Sequence, residues 1–282
     1  SCQTQVEIPD GAVYPILFGS TESRAVAGLE DIKSGGFKVY AYFEGNKGSA
    51  SFAKDVKHAV VEGLDVWSFE TPEYWIPNTN YWFKAVYPGN AAVVDNNNND
   101  QTLTIADYDI QSQTDVMVAT ATASVAENAT APTSGSVVNL QFQHLLANVM
   151  IKIKSQIDGV AITSVKLGNL DNNSTYNGST WAISGNTTFI EYDTPTPLTK
   201  GADLVDVTGG GFLVIPANSN GKTLTIEANK TYNLTIPNGK WEIGKRYTYT
   251  IEIKQDDIVF VDGAPYVEEW DSENATGSVI IK

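Results

Sequence analysis

The sequence predicts an all-β protein made of two β-sandwich domains of about seven strands each. Three features carry that expectation. Apolar residues recur with period two in many short runs, the mark of strands with one face buried and the other in water. Clusters of Asn, Gly, Ser, Asp and Pro separate these runs and favour turns. A stretch of small and polar residues, ATASVAENATAPTSGS at 121–136, cannot bury a core and divides the runs into two sets. The expected organisation is a leader with a candidate removable first strand at 1–24, an N-terminal sandwich at 25–135 and a C-terminal sandwich at 136–282.

In the first half, VYPILF (13–18) is a short apolar run with Pro15 inside it. Proline cannot donate to a ladder, so an edge or terminal strand is expected. Residues 25–36 read as a connector ending in two glycines. FKVYAYF (37–43) alternates, with Phe37, Val39, Ala41 and Phe43 on one face, and is followed by the turn EGNKGS. Residues 57–61, 66–69, 81–87, 102–105 and 116–119 complete the strands of this half, and no helix is expected in it.

The second half is expected to open at VVNLQFQHLLANVMIKIK (137–154). Leu140, Phe142 and His144 share one face. After the step LLA, alternation resumes with Val149, Ile151 and Ile153, so two strands joined at a sharp step are expected. Residues 160–167, 180–183 and 187–192 follow as strands. TPTPLTK (194–200) reads as loop, because alternate prolines suit neither helix nor central strand. FLVI (212–215) is apolar on both faces, which fits a buried strand. Residues 222–227 and 232–236 form a hairpin. KRYTYTIEIK (245–254) alternates for ten residues, with Tyr247, Tyr249, Ile251 and Ile253 inward. Residues 258–261 and 277–282 close the chain.

Composition narrows the function. The 282 residues are 42% hydrophobic, enough for a substantial core. Against 33 acidic residues stand 18 basic ones, a net charge of −15. That opposes binding to nucleic acid, which rests on cations that neutralise phosphates. It opposes docking on anionic lipid through a basic patch as well. No apolar run reaches the ~18 residues of a membrane-spanning helix. The single cysteine, Cys2, excludes an internal disulfide. As a nucleophile near a chain end it would lack a positioned base. As a lipid attachment point it fits better, since Ser1 supplies the small residue that precedes a lipidated cysteine; the apolar signal before such a junction is not in the sequence.

Catalytic and metal-binding patterns are missing. His58 and His144 fall within expected strands, without His-x-x-x-His or Cys-x-x-Cys spacing. His144, beside Phe142, reads as a structural histidine. Neither a G-x-S-x-G elbow nor a phosphate loop occurs. Gly209, Gly210 and Gly211 precede a strand rather than a helix and read as flexible punctuation. DNNNND (95–100) resembles an oxygen-rich Ca²⁺ loop but lacks the required Gly and distal Glu, so a plain turn is favoured. Glu268 and Glu269 are adjacent and on a strand would face opposite ways, which rules out a working pair. Trp67, Trp75, Trp82, Tyr74, Tyr81 and Tyr87 cluster in one quarter of the chain. They could form a glycan-binding platform with at least two of the three tryptophans exposed, although alternating aromatics more often form core. No cofactor, no metal and no enzyme activity are expected.

Several stretches together resemble the fimbrillin superfamily, lipoprotein-derived subunits of type V pili on Gram-negative anaerobes. Phe142-Gln143-His144 with the strand after it is similar to the family's Phe-x-His signature. Tyr74-Trp75-Ile76-Pro77, followed by Phe83 to Tyr87-Pro88, resembles the aromatic-Trp-Pro step into a strand ending in Tyr-Pro. Phe212 to Ile215-Pro216 resembles the strand ending in Ile-Pro. Trp241, Gly244-Lys245, Tyr247 and Tyr249 resemble the Trp-x-x-Gly-Lys-x-Tyr-x-Tyr entry, and Val267 with Trp270 resembles the closing Val-x-x-Trp. Each is weak alone, but the five follow the family's order over nearly the whole chain.

The resemblance implies two transthyretin-like sandwiches, a lipid on Cys2, export to the outer membrane or a fimbria of a Gram-negative bacterium, and partners that are other pilin subunits, a processing protease and a host protein or glycan. In stalk subunits of the family a protease cuts after an Arg and removes the first strand, and a neighbour's donor strand fills the groove. Carried over, Arg24 is the candidate cut, 13–18 the removable strand and 264–282 the donor. The alternatives are an anchor or tip subunit in which Arg24 lies in an ordinary uncut turn, or a surface lipoprotein that binds glycan through the Trp/Tyr cluster.

Overall fold

The computed structural model describes residues 13–19, 29–43, 51–94, 102–183, 185–270 and the backbone of 278–280. Nearly every element is a strand, as the alternation implies. Contacts divide the chain into two compact units. Unit 1 comprises 1–104, 117–143 and 279–282, and unit 2 comprises 105–116 and 144–278.

Unit 1 is built on one nine-stranded sheet. Its order is Ser278–Ile280, Gln141–His144, Met117–Val125, Thr79–Tyr87, Phe37–Phe43, Phe52–Val61, Leu64–Phe69, Leu17–Gly19 and Val137–Asn139. Only Leu140 separates Val137–Asn139 from Gln141–His144, yet these two strands lie toward opposite ends of the order. The chain thus leaves one side of the sheet and joins the other within one residue. Strands that switch sides in this way make the corners of a sandwich. The core between the layers holds Phe18, Phe37, Phe69, Phe83, Trp67 and Phe142, all under 5% exposed. Along its central pair Val39 opposes Ala85 and Ala41 opposes Phe83 in this core, while Tyr40, Tyr42, Lys84 and Val86 on the other face are buried too.

Pairing shifts the boundary expected at 136. Strand Val137–Asn139 pairs in parallel with Leu17–Gly19, and Phe142 packs edge-on to Phe37 at 5.0 Å, so 137–143 belongs with unit 1. Conversely, 105–116 leaves the first half for unit 2, where Ile105 and Tyr108 pair with Tyr176 and Ser174. The first half also contains a helix, Leu29–Gly35. Its seven residues are too few to show a clear helical period, but Leu29 and Ile32 fall on one face and are buried. Gly36 ends it with φ +69°, a conformation that favours glycine, and its N–H donates to the Ile32 carbonyl at 2.7 Å.

Unit 2 has a six-stranded sheet centred on a parallel pair, Ala147–Ser155 and Lys245–Ile253. Val149, Ile151 and Ile153 oppose Tyr247, Tyr249 and Ile251, and all six are buried, as alternation implies. Phe212–Val214 and Val205–Asp206 flank the first strand, while Ile258–Phe260 and Tyr266–Glu269 flank the second. A four-stranded sheet, Thr187–Tyr192, Ser164–Asp171, Thr223–Glu227 and Thr231–Thr235, includes the expected hairpin. Part of the expected 194–200 loop is a short strand, Thr196–Pro197, paired with Ala161–Ile162.

The glycines 209–211 are not mere punctuation. All three have positive φ, and a Cβ on Gly209 would lie 2.4 Å from the Tyr192 ring. One on Gly211 would lie 2.1 Å from Asn148 Oδ1. Two of the three are there because side chains press on their backbone.

Candidate functional site

Residues 13–19 of unit 1 include the short strand Leu17–Gly19 and an isolated bridge at Pro15. Pro15 implies an edge or terminal strand; Leu17–Gly19 is the most N-terminal of the described strands and not the edge of the sheet. On one side Phe18 pairs antiparallel with Trp67, and Pro15 bridges Tyr74. On the other, Leu17, Phe18 and Gly19 run parallel to Val137, Val138 and Asn139. The Ile16 N–H donates to the Glu73 carbonyl at 2.8 Å and the Trp75 N–H to the Tyr14 carbonyl at 3.1 Å. Across the strand, Leu17 N–H donates to Ser136 at 3.4 Å and Leu140 N–H to Gly19 at 3.2 Å. Successive N–H groups along a strand point to opposite sides. The missing N–H of Pro15 therefore falls on the 136–140 side, before that ladder begins, and proline is tolerated.

Side chains divide by parity. Ile16 is 1% and Phe18 3% exposed, while Tyr14 and Leu17 are half-buried. The Phe18 ring meets Phe69 at 5.4 Å, Phe83 at 5.9 Å and Phe37 at 6.1 Å between centroids, each close to perpendicular. Such edge-to-face contacts add about 0.5–1.5 kcal/mol each beyond the area they bury. Gly19 lies close to Val137, whose Cγ1 would be 3.3 Å from an added Cβ. Taking residues 13–19 away would leave an apolar slot with unpaired backbone on both walls, a strong acceptor for an extended segment. Beside the slot, a pocket of about 160 Å³ lies between Ala121–Ala123 and Val137–Asn139, with Trp75 in its wall.

Arg24 and Cys2, the sites expected for cleavage and lipidation, lie outside the described residues, as does 95–100. The chain's last strand, Ser278–Ile280, borders Gln141–His144 at the end of the nine-stranded sheet. Sequence reading named residues 13–18 but missed that Phe18 fills an aromatic socket. The i, i+2 pair Ile16 and Phe18 was the available signal.

The aromatic cluster is mostly core. Trp67, Trp75 and Tyr81 are buried, and Trp82 is half-buried, so two exposed tryptophans are not found. The Trp75 Nε1 donates to the Ser136 carbonyl at 3.1 Å. Tyr81 receives the Ile76 N–H at 2.9 Å, and burial pushes its phenol above the ordinary value. In unit 2, His144 is buried, its Nδ1 2.7 Å from Asp115 Oδ2 and its ring flat on Trp270. This is a packed, hydrogen-bonded histidine. Among the described residues no group of three or more His, Cys, Asp or Glu is placed to hold a metal, and no helix is long and apolar enough to cross a membrane.

A family model described as fimbrillin-like matches residues 24–270. The chain belongs to the fimbrillin-like family. Among solved structures, this fimbrillin-like chain is similar to a fimbrial protein from Bacteroides vulgatus at 17% identity and a TM-score of 0.58, over 86% of this chain and 96% of that one. A proposed cell adhesion protein from Bacteroides ovatus matches at 15% identity and 0.60, over 92% and 98%. Another from Bacteroides uniformis matches at 18% and 0.54, over 94% and 100%. At these identities the likeness speaks for the fold. No curated protein matches the chain.

Proposed function

We propose that this fimbrillin-like chain is a non-catalytic subunit of a surface pilus on a Gram-negative bacterium and joins its neighbours by strand replacement. A cut after Arg24 frees residues 13–19, and an extended strand from the next subunit takes their place. Of the expected donor 264–282, the part beyond Trp270 is offered in turn, since Tyr266–Glu269 is paired in the sheet of unit 2. Cys2 carries the lipid that holds the chain at the outer membrane before assembly, and the finished fibre supports adhesion. Family membership supports a pilus subunit.

One observation carries the strand-replacement step. Residues 13–19, which include the most N-terminal described strand, Leu17–Gly19, are hydrogen-bonded on both sides and place Ile16 and Phe18 in the core. A single cut between Gly19 and Leu29 would sever this strand from the remaining chain without breaking another described element.

The test is protease treatment of the folded protein. A trypsin-like enzyme is expected to make one early cut after Arg24, seen by mass spectrometry, with loss of 1–24 followed by growth of oligomers in size-exclusion chromatography and electron microscopy. Resistance at Arg24, or a cut without any gain in assembly, would count decisively against strand replacement.

A further inference from the structure

The slot under residues 13–19 is selective, and its selectivity bears on which protein can fill it. Of the residues in the strand, only Ile16 and Phe18 are large side chains turned fully into the core. Their sites differ. Phe18 is ringed by Phe37, Phe69 and Phe83, all edge-on or nearly so. That arrangement matches the positive edge of one ring to the negative face of another, which an aliphatic group cannot reproduce. An aliphatic group is also smaller than the ring and would leave part of the site empty, at a cost that grows with the void. Next to it, Gly19 lies against Val137, so a small residue is favoured directly after the aromatic one.

The slot therefore reads a short pattern: a large aliphatic residue, any residue, an aromatic residue, then a small one. Residues 16–19, Ile-Leu-Phe-Gly, satisfy it. The segment 264–282 does not. Its two aromatic residues are Tyr266 and Trp270, and the positions two away from them are Ala264, Glu268 and Ser272. Its large aliphatic pair two apart, Val279 and Ile281, has no aromatic member. In either chain direction the segment leaves the ring site unfilled or puts a carboxylate or a small group where Ile16 belongs.

Resting on the strand-replacement reading above, we infer that the strand which enters this slot carries an aromatic residue two positions from a large aliphatic one, and that it comes from a different protein rather than from 264–282 of a second copy. Phe18's socket is the specificity determinant of the junction, and this chain joins a mixed fibre rather than a polymer of itself.

The experiment uses the full chain with a specific protease site inserted between Gly19 and Leu29, so that the slot can be emptied whether or not Arg24 is a natural cut. After cleavage, fluorescently labelled peptides are offered and binding is read by anisotropy. A peptide of residues 13–19 is expected to enter. Its Phe18→Ala version is expected to bind roughly 100-fold more weakly, and an unlabelled 264–282 peptide to compete poorly. Equal binding by the Phe18→Ala peptide, or efficient displacement by 264–282, overturns the inference while leaving strand replacement standing. Failure of every peptide to enter, the 13–19 sequence included, sinks strand replacement and the inference with it.

Discussion

The imidazole of His144 lies flat against the indole of Trp270, ring centroids 3.9 Å apart and planes 17° from parallel. On its other side Nδ1 is hydrogen-bonded to the Asp115 carboxyl, 2.7 Å from Oδ2. Trp270 is tied in turn by its N–H to the Gly244 carbonyl at 2.9 Å. Three distant parts of unit 2 meet at this histidine. His144→Ala should cost about 2–4 kcal/mol, from the lost bond to a charged group and the vacated volume. His144→Phe keeps the stack and loses the bond, so it should retain part of that. Urea denaturation measures both; a change under ~0.5 kcal/mol for His144→Ala, the size of an ordinary surface substitution, would show that the contact is incidental.

Along 13–19 the parity of burial sets the size of each truncation. Phe18→Ala should destabilise by about 3–5 kcal/mol and Ile16→Ala by about 2–5 kcal/mol. Leu17, half-buried, should cost markedly less than either. Equilibrium unfolding of the three variants tests the order. An equal effect at Leu17 and Phe18 would mean that the strand does not hold this register.

The strands were legible because their information is local. Alternation at Val149, Ile151 and Ile153, or at Tyr247, Tyr249, Ile251 and Ile253, needs no knowledge of the partner strand. Which strands pair is a long-range matter, and there the sequence misled. Pro15 pointed to an edge, but the side on which its N–H is missing happens to face no ladder. Residues 105–116, running from the expected strand 102–105 to the one at 116–119, read as part of the first half because nothing local marks their crossing to unit 2. The helix at Leu29–Gly35 was hidden by its length. Of the slot, the strand itself was visible, but the socket around Phe18 was not, since Phe37, Phe69 and Phe83 converge only through the fold.

Gly210 and Gly211 allow a controlled comparison. Their φ angles are +95° and +101°, so an alanine at either pays a similar backbone penalty, of the order of 1–2 kcal/mol. A Cβ on Gly210 meets nothing within 4 Å, whereas one on Gly211 would press on Asn148 Oδ1. Asn148 cannot easily yield, because Oδ1 accepts from Arg246 Nε at 3.1 Å and Nδ2 donates to the Gly210 carbonyl at 3.2 Å. Gly211→Ala should therefore exceed Gly210→Ala by about 1–3 kcal/mol. Thermal or chemical unfolding of the two variants gives the difference, and equal costs would refute the close packing at Asn148.

Alkaline stability follows from the tyrosines. Burial raises the phenols of Tyr81, Tyr108, Tyr176, Tyr247 and Tyr249 above their ordinary value of 10.0. At Tyr249 the Trp241 Nε1, 3.0 Å from the hydroxyl, works the other way without reversing the shift. A raised phenol keeps its proton in the folded chain at a pH where the unfolded chain has lost it, so above about pH 10 the native state binds more protons than the unfolded one. Stability is then fully present below that pH and declines as pH rises through the folded values. The phenolate absorbance of these five should accordingly appear only as far-ultraviolet circular dichroism is lost. Ionisation of these five phenols at their ordinary value with the fold intact would contradict the burial assigned to them.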